Sequence, residues 1–336
     1  MRRNLLGYRA EVVEDMFGAS DALAEVLSDT LGDGGRVLLV ADSNVVSHTS
    51  WLGQKIGRYF TDKGIRLTGR AVIVPGGEKA KHEDLSGAFA IVDAAAKTRV
   101  GGGDCILALG AGTAFDLAGW AAAQFGGIPV VRLPTTPAAM TGAAFAENAA
   151  IDRCGRKDVV RFESKPAAVL VDVAFLGTVM DGVWRAGAGE IACLAAADDK
   201  LRREFVEFAP RYANRDYAAF AEMAARVIEV RMKRRDERIA EPIAARLEEM
   251  SGFRLPHGYA IPLALLIEMG ARTVLGVMSA EAAQEIRAAL ETCGSLEGLY
   301  HSRHLLLRSD DLFAADMKDR EAYVAAVDAL LGANRD

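Results

Sequence analysis

A run of small residues from Leu107 to Gly119 lies between an apolar stretch and an amphipathic one, and this is the first place where the chain could do chemistry. Bare backbone N–H groups at a strand-to-helix turn, together with the positive end of the helix dipole, can accept a pyrophosphate. Glycine-rich turns also arise for conformational reasons alone, so the turn by itself leaves both readings open. It has company, however. Asp42-Ser43-Asn44-Val45, Gly76-Gly77-Glu78-Lys79-Ala80-Lys81 and Pro134-Thr135-Thr136 each follow an apolar run. In a parallel sheet those segments share one edge, which is where open sheets of this class bind ligands.

The elements that must position them are short apolar runs alternating with amphipathic stretches, the pattern of β-α-β units. Val37–Val40, Ala71–Val74, Cys105–Leu109, Ile128–Leu133 and Ala168–Val171 are expected strands. A helix is expected from near Glu83 to Lys97, and another opens at Gly110-Ala111-Gly112-Thr113. Beyond about residue 180 the texture turns alanine-rich, with apolar residues at three-and-four spacing, which predicts packed helices. Pro210, Pro242, Pro256 and Pro262 punctuate that region, and Pro242 suits the first turn of a helix starting at Glu241. The expected fold is α/β: an N-terminal Rossmann-like parallel-sheet domain over residues 1–165 and a C-terminal all-helical domain over residues 166–336.

The 336 residues exceed what one hydrophobic core usually serves, which agrees with two domains. A hydrophobic share of 51% with 26% charged residues places the chain among globular proteins rather than disordered ones. The net charge of -6 argues against nucleic acid or an anionic membrane as partner and for a small molecule. Cys105, Cys154, Cys193 and Cys293 form no CxxC pair, so neither a disulfide framework nor a thiolate zinc site is suggested. Polar residues interrupt the N-terminal segment as a signal peptide, and no apolar run reaches membrane-spanning length; a cytoplasmic location is the expectation.

The order D-S-N-V, P-G-G-E-K-A-K, L-G-A-G-T-A-F-D-L-A-G, I-P-V-V-R-L-P-T-T, R-A-G-A-G-E and L-P-H-G, across residues 36 to 262, resembles the 3-dehydroquinate synthase family and its sugar phosphate cyclase relatives. The resemblance implies a dehydroquinate synthase-like fold, NAD and a divalent metal as cofactors, and a homodimer. It also implies that Asp42 and Asn44 hold the adenosine end of NAD, with Glu78 and Lys81 near the adenine and ribose. Gly110, Gly112 and Thr113 would cradle the diphosphate, and Asp116, Thr135, Thr136 and Lys157 would flank the nicotinamide.

For the metal, the resemblance implies Glu190 in Ala188-Gly189-Glu190 and His257 in Leu255-Pro256-His257-Gly258 as ligands. The histidine of the family's G-H-T segment has no counterpart; counting back the family's interval places Glu241 there (257 minus 241 gives 16). Replacing imidazole by carboxylate hardens such a site and shifts it from zinc toward manganese, iron(II) or magnesium.

Departures gather where the family grips phosphate. Glu147-Asn148 stands where a lysine follows paired glycines, Arg156-Lys157-Asp158 where G-K-N is usual, and Cys193 where a lysine follows the metal glutamate. Arg231, Lys233, Arg234 and Arg235 could compensate in part. Lys157, Asn148 and Arg235 are the catalytic candidates. The resemblance thus implies a cyclase-like enzyme on a sugar- or cyclitol-derived substrate, which the family's members carry as a phosphate, acting by transient alcohol oxidation, elimination and ring closure. Two other readings stand beside it: an NAD(P)-dependent, metal-containing polyol or alcohol dehydrogenase, since iron-type alcohol and glycerol dehydrogenases share the architecture, and a catalytically inactive nucleotide-binding relative.

Overall fold

The computed structural model describes residues 6–82, 85–233 and 239–332. The chain divides into two compact units, residues 1–180 with 228–234, and residues 181–227 with 235–336. The sequence placed the change at 165/166. It falls later because Ala168–Asp172 is an interior strand of the sheet, so the segment carrying it belongs to the first unit.

The first unit is built on a six-stranded sheet of β1 (Arg9–Val13), β2 (Val37–Asp42), β3 (Val72–Val74), β4 (Cys105–Gly110), β5 (Val130–Pro134) and β8 (Ala168–Asp172), in the order β1-β8-β5-β4-β2-β3, every pair parallel. All residues of β2, β4, β5 and β8 are buried, as continuous apolar runs covered on both faces must be. The sequence reading omitted β1, which mixes apolar and charged residues and, among the described residues, pairs only with β8.

It also omitted an antiparallel hairpin of β6 (Asn148–Arg153) and β7 (Arg156–Glu163). The hairpin turns through Cys154 (φ 53°) and Gly155 (φ 71°), both left-handed, as a tight two-residue connection matching strand twist requires. Gly119 lets it lie directly on the helix Gly112–Gln124: a Cβ there would stand 2.9 Å from Ala149 Cβ.

Among the described residues, every element after β8 is helical. The second unit is organised on the helix His257–Val274, eleven of whose side chains are buried, so that neighbours cover most of its circumference. Asp198 and Ser279 cap the helices Asp199–Ala213 and Ala280–Thr292 by accepting from Leu201 N and Ala282 N. Pro242 sits in the first turn of Glu241–Met250. Pro210 and Pro262, expected as boundaries, instead lie inside helices. No helix among the described residues is long and apolar enough to cross a membrane.

One carboxylate ties the sheet to the segment after β1. Asp172 accepts from Met16 N at 2.8 Å through Oδ2 and from Ala174 N at 2.9 Å through Oδ1. Asp172→Ala leaves both N–H groups without that acceptor and should cost about 1–3 kcal/mol. A lowered thermal unfolding midpoint, with the circular dichroism spectrum retained, is the expected observation.

Candidate cofactor edge and cation site

The strand register lines up the carboxyl ends of four strands. Asp42 lies opposite Val74, and Gly110 opposite Pro134, while β2 and β4 run side by side. From β2 the chain proceeds outward to β3, from β4 the opposite way to β5, so the crevice between them is the topological switch point of the sheet. Two glycines keep it narrow. A Cβ on Gly110 would stand 2.9 Å from Asp42 Cβ and 2.8 Å from Ala114 Cβ, and one on Gly76 would stand 2.5 Å from Asp42 Oδ1.

The helix Gly112–Gln124 starts from Ala111 with no side-chain cap, leaving its first N–H groups without a side-chain acceptor, a suitable cradle for an anion. Thr113 is buried in its first turn. Thr135 donates its N–H to Gly110 O at 3.0 Å, while its buried Oγ1 has no hydrogen-bond partner among the described residues. Thr136 caps the short helix Pro137–Thr141, accepting from Ala139 N at 3.3 Å. Asp42 accepts from Asn44 N at 2.7 Å, and burial raises its carboxyl above the ordinary value, the Asn44 N–H partly opposing this.

Next to this edge the structure gathers four of the expected residues into one buried charge cluster. Lys81 Nζ lies 2.8 Å from Asp116 Oδ2, 3.0 Å from Asp158 Oδ1, 3.1 Å from Glu78 Oε1 and 4.0 Å from Asp152 Oδ1. Lys157 Nζ is 2.6 Å from Glu78 Oε1. Asp116 Oδ1 also accepts from Ala150 N at 3.1 Å, joining the helix to the hairpin, so Asp116 is no solvated helix-start residue. Burial works to lower the Lys81 ammonium, but Asp116, Glu78, Asp158 and Asp152 outweigh it and hold it well above the ordinary lysine range. Burial likewise works to raise Asp158; Lys81 and Lys157 prevail and depress it.

Asp152 goes the other way. It is fully buried, its Oδ1 accepts from Asp158 N at 2.8 Å, and its Oδ2 has no hydrogen-bond partner among the described residues. Burial pushes its carboxyl up to about 7 despite Lys81. Glu78, Asp152 and Asp158 come close enough to hold a metal ion, but the Lys81 ammonium already serves as the cation there.

The second unit holds the other set. Glu190 lies in the first turn of Gly189–Ala195, Glu241 begins Glu241–Met250 and His257 begins His257–Val274, so three helix starts meet. One donor atom from each lies within 4.8 Å of the others, and His257 Nε2 is 3.7 Å from Glu190 Oε1. A cation bonded at about 2.0–2.2 Å holds its donors roughly 3–4 Å apart, so the set suits one. Helix starts also favour carboxylates through the positive end of the dipole.

The glycines of the A-G-E and H-G segments make the meeting possible. A Cβ on Gly189 would stand 2.9 Å from the Pro262 ring, and one on Gly258 would stand 2.8 Å from Ala186 Cβ and 3.1 Å from its carbonyl oxygen. Sequence reasoning missed Glu248, whose Oε1 is 2.8 Å from His257 Nδ1. Its signal was a seven-residue interval from Glu241, two helical turns, which puts both carboxylates on one helix face.

The remaining candidates fall elsewhere. Asn148 is exposed at the start of β6, opposite Glu163. Arg231 is buried, donating to Thr141 O at 2.7 Å with its guanidinium over the Phe145 ring, so it is not part of a solvated basic face. Lys233 pairs with Glu229. Arg234 and Arg235 lie outside the described residues.

Two outcomes follow from the charge cluster. Lys81→Met removes the shared partner of four carboxylates and should destabilise the chain by about 3–5 kcal/mol, with Lys81→Met/Asp152→Asn recovering part of the loss in thermal unfolding. Asp152 keeps its proton in the folded chain up to about pH 7 and loses it near pH ~4 when unfolded. Its contribution is therefore full below the unfolded value and lost as pH rises to the folded one. Asp152→Asn, which keeps an acceptor for Asp158 N, should flatten the decline in stability over that window; an unaltered slope would show that another group carries it.

The sequence pattern of the 3-dehydroquinate synthase N-terminal family matches residues 71–186. A 3-dehydroquinate synthase of Nitrobacter winogradskyi is 28% identical over 306 residues, covering 86% of this chain and 77% of its own length. That of Caulobacter vibrioides is 27% identical, covering 94% and 88%. Among solved structures, a 2-epi-5-epi-valiolone synthase from Streptomyces hygroscopicus, with NAD+ and Zn2+ bound, superposes with a TM-score of 0.75 at 20% identity over 98% of both chains. An iron-containing alcohol dehydrogenase from Thermotoga maritima superposes at 0.68 and 13% identity over 99% of this chain and 100% of its own. The chain is thus related to the 3-dehydroquinate synthases, in the fold shared by sugar phosphate cyclases and iron-type alcohol dehydrogenases.

Proposed function

We propose that the protein is an NAD- and divalent-metal-dependent lyase of the cyclase type, acting on a sugar- or cyclitol-derived substrate. The observation that carries this is the convergence of Glu190, Glu241 and His257 at three helix starts. Two carboxylates and one imidazole leave coordination positions for substrate oxygens, and their hardness favours manganese, iron(II) or magnesium beside zinc. The nucleotide is assigned to the β2/β4 crevice. There Gly110 and Gly112 admit a diphosphate to the uncapped helix start, and Thr135 offers a buried hydroxyl that has no partner among the described residues. When bound, NAD supplies a reversible oxidation of a substrate hydroxyl, which acidifies the adjacent C–H for elimination, while the cation supplies Lewis acidity.

Asp42 and Asn44 are assigned to the adenosine end. Glu78 and Lys81 near the adenine and ribose, and Asp116 and Lys157 on the nicotinamide side, act as one pre-formed charge network, in which Lys157 pairs with Glu78 and Asp116 is held by Lys81 and Ala150 N. A homodimer in the cytoplasm completes the reading. The alternative it must defeat is a dehydrogenase that releases NADH.

Native mass spectrometry with elemental analysis of the purified protein should find NAD and one divalent ion per chain. Glu190→Ala and His257→Ala should lose the ion. With a panel of sugar phosphates and polyols and NAD present, product should form without sustained growth of nicotinamide absorbance. Stoichiometric NADH would replace the cyclase with the dehydrogenase, and unchanged metal content in both variants would end the site assignment.

A further inference from the structure

Behind His257 lies a second carboxylate that neither the family motifs nor the ligand spacing called for. Glu248, on the helix Glu241–Met250, is 1% exposed, and its Oε1 sits 2.8 Å from His257 Nδ1. The opposite ring nitrogen, Nε2, is the one 3.7 Å from Glu190 Oε1. The imidazole is therefore held between two acids with different roles, one fully enclosed and one lining the donor set.

We infer that Glu248 is the positioning residue of the cation site: it accepts the Nδ1–H of His257, so that the Nε2 lone pair points into the donor set with Glu190. This rests on the cation reading of Glu190, Glu241 and His257. The chemistry is that of a carboxylate–histidine–metal relay. A neutral imidazole carries one N–H and one lone pair, and whichever nitrogen donates to a fixed acceptor leaves the other free to ligate.

Glu248 is itself well anchored. Its backbone carbonyl accepts from Ser251 Oγ at 2.7 Å and from Phe253 N at 2.8 Å, where Gly252 (φ 62°) and Phe253 (φ 58°) turn the chain toward His257. The turn thus ties the helix bearing Glu241 and Glu248 to the one His257 opens. Glu241 and Glu248, seven residues apart, reach His257 from one helix face: one joins the donor set, the other fixes the ring.

The test uses the full chain, selectively 15N-labelled at histidine, with metal removed and then titrated with Mn2+, Co2+ or Zn2+ alone. His257 should give the Nδ1–H tautomer in the metal-free wild type, and Glu248→Ala should shift it toward Nε2–H. That variant should bind the metals about 10–100-fold more weakly, with an altered visible spectrum for Co2+. Glu248→Gln, which keeps an uncharged acceptor, should retain the tautomer and lose less affinity; it also serves if the alanine variant does not fold. An Nε2–H tautomer in the wild type, or wild-type affinity in Glu248→Ala or equal loss in Glu248→Gln, overturns the assignment. Should His257→Ala and Glu190→Ala bind metal normally while Glu248→Ala still switches the tautomer, the cation reading fails, the role at a cation site falls with it, and only the orientation of the His257 ring by Glu248 stands.

Discussion

The first unit depends on the burial of one ammonium. Lys81 is 5% exposed and its nitrogen lies within 4.0 Å of four carboxylates drawn from different elements: Glu78 from its own turn, Asp116 from the helix after β4, and Asp152 and Asp158 from the two strands of the hairpin. A buried charge without partners costs several kcal/mol, so each element is held where it can reach Lys81. Among the described residues the hairpin has no sheet neighbours beyond its own two strands, and this shared cation, the Asp116–Ala150 bond, the close approach at Gly119 and the buried Ala149 and Ile151 fix it to the unit. With four acids against Lys81 and Lys157, burial outweighs the cations at Asp152, the most enclosed, and raises its carboxyl.

In the second unit steric closeness does the corresponding work. Gly189 against the Pro262 ring and Gly258 against Ala186 bring helix starts to backbone distance, and the residues next to those glycines, Glu190 and His257, become neighbours as a consequence. Pro262 forfeits a helical N–H, and its ring occupies the space that a side chain on Gly189 would fill. Its position inside the helix, unexpected from sequence, is thus part of the same contact.

What could be read from sequence followed the strength of the physical signal. Val37–Val40, Cys105–Leu109 and Ala168–Val171 are doubly covered strands, and continuous β-branched and leucine runs announce them. β1 and the hairpin were silent for opposite reasons. Arg9–Val13 carries charges on an edge, and Asn148–Arg153 buries alanines and Asp152, a pattern no period-two template recognises. Glu190, Glu241 and His257 were legible through their spacing relative to known enzymes, and the fold brings them together. Glu248 was not, because a glutamate two turns along a helix is common and only the turn at Gly252 reveals that it faces His257. Nor could charge counting show that Arg231 is buried over Phe145 rather than solvated.

The same charge balance bears on what the substrate can be. A phosphate dianion needs cations or N–H groups not already spoken for. In the first unit Lys157 is held by Glu78 and Lys81 by four acids, while Asn148 brings no charge. Asp158 adds a negative charge where the G-K-N pattern has a neutral amide, and its depressed pKa keeps that charge in place. Drawing either lysine onto a phosphate would strand buried carboxylates, at a cost of several kcal/mol that the new contact would have to exceed. The cluster therefore offers a phosphate ester no lysine that is not already paired, and leaves the uncapped helix start at Gly112 as the anion cradle of this edge.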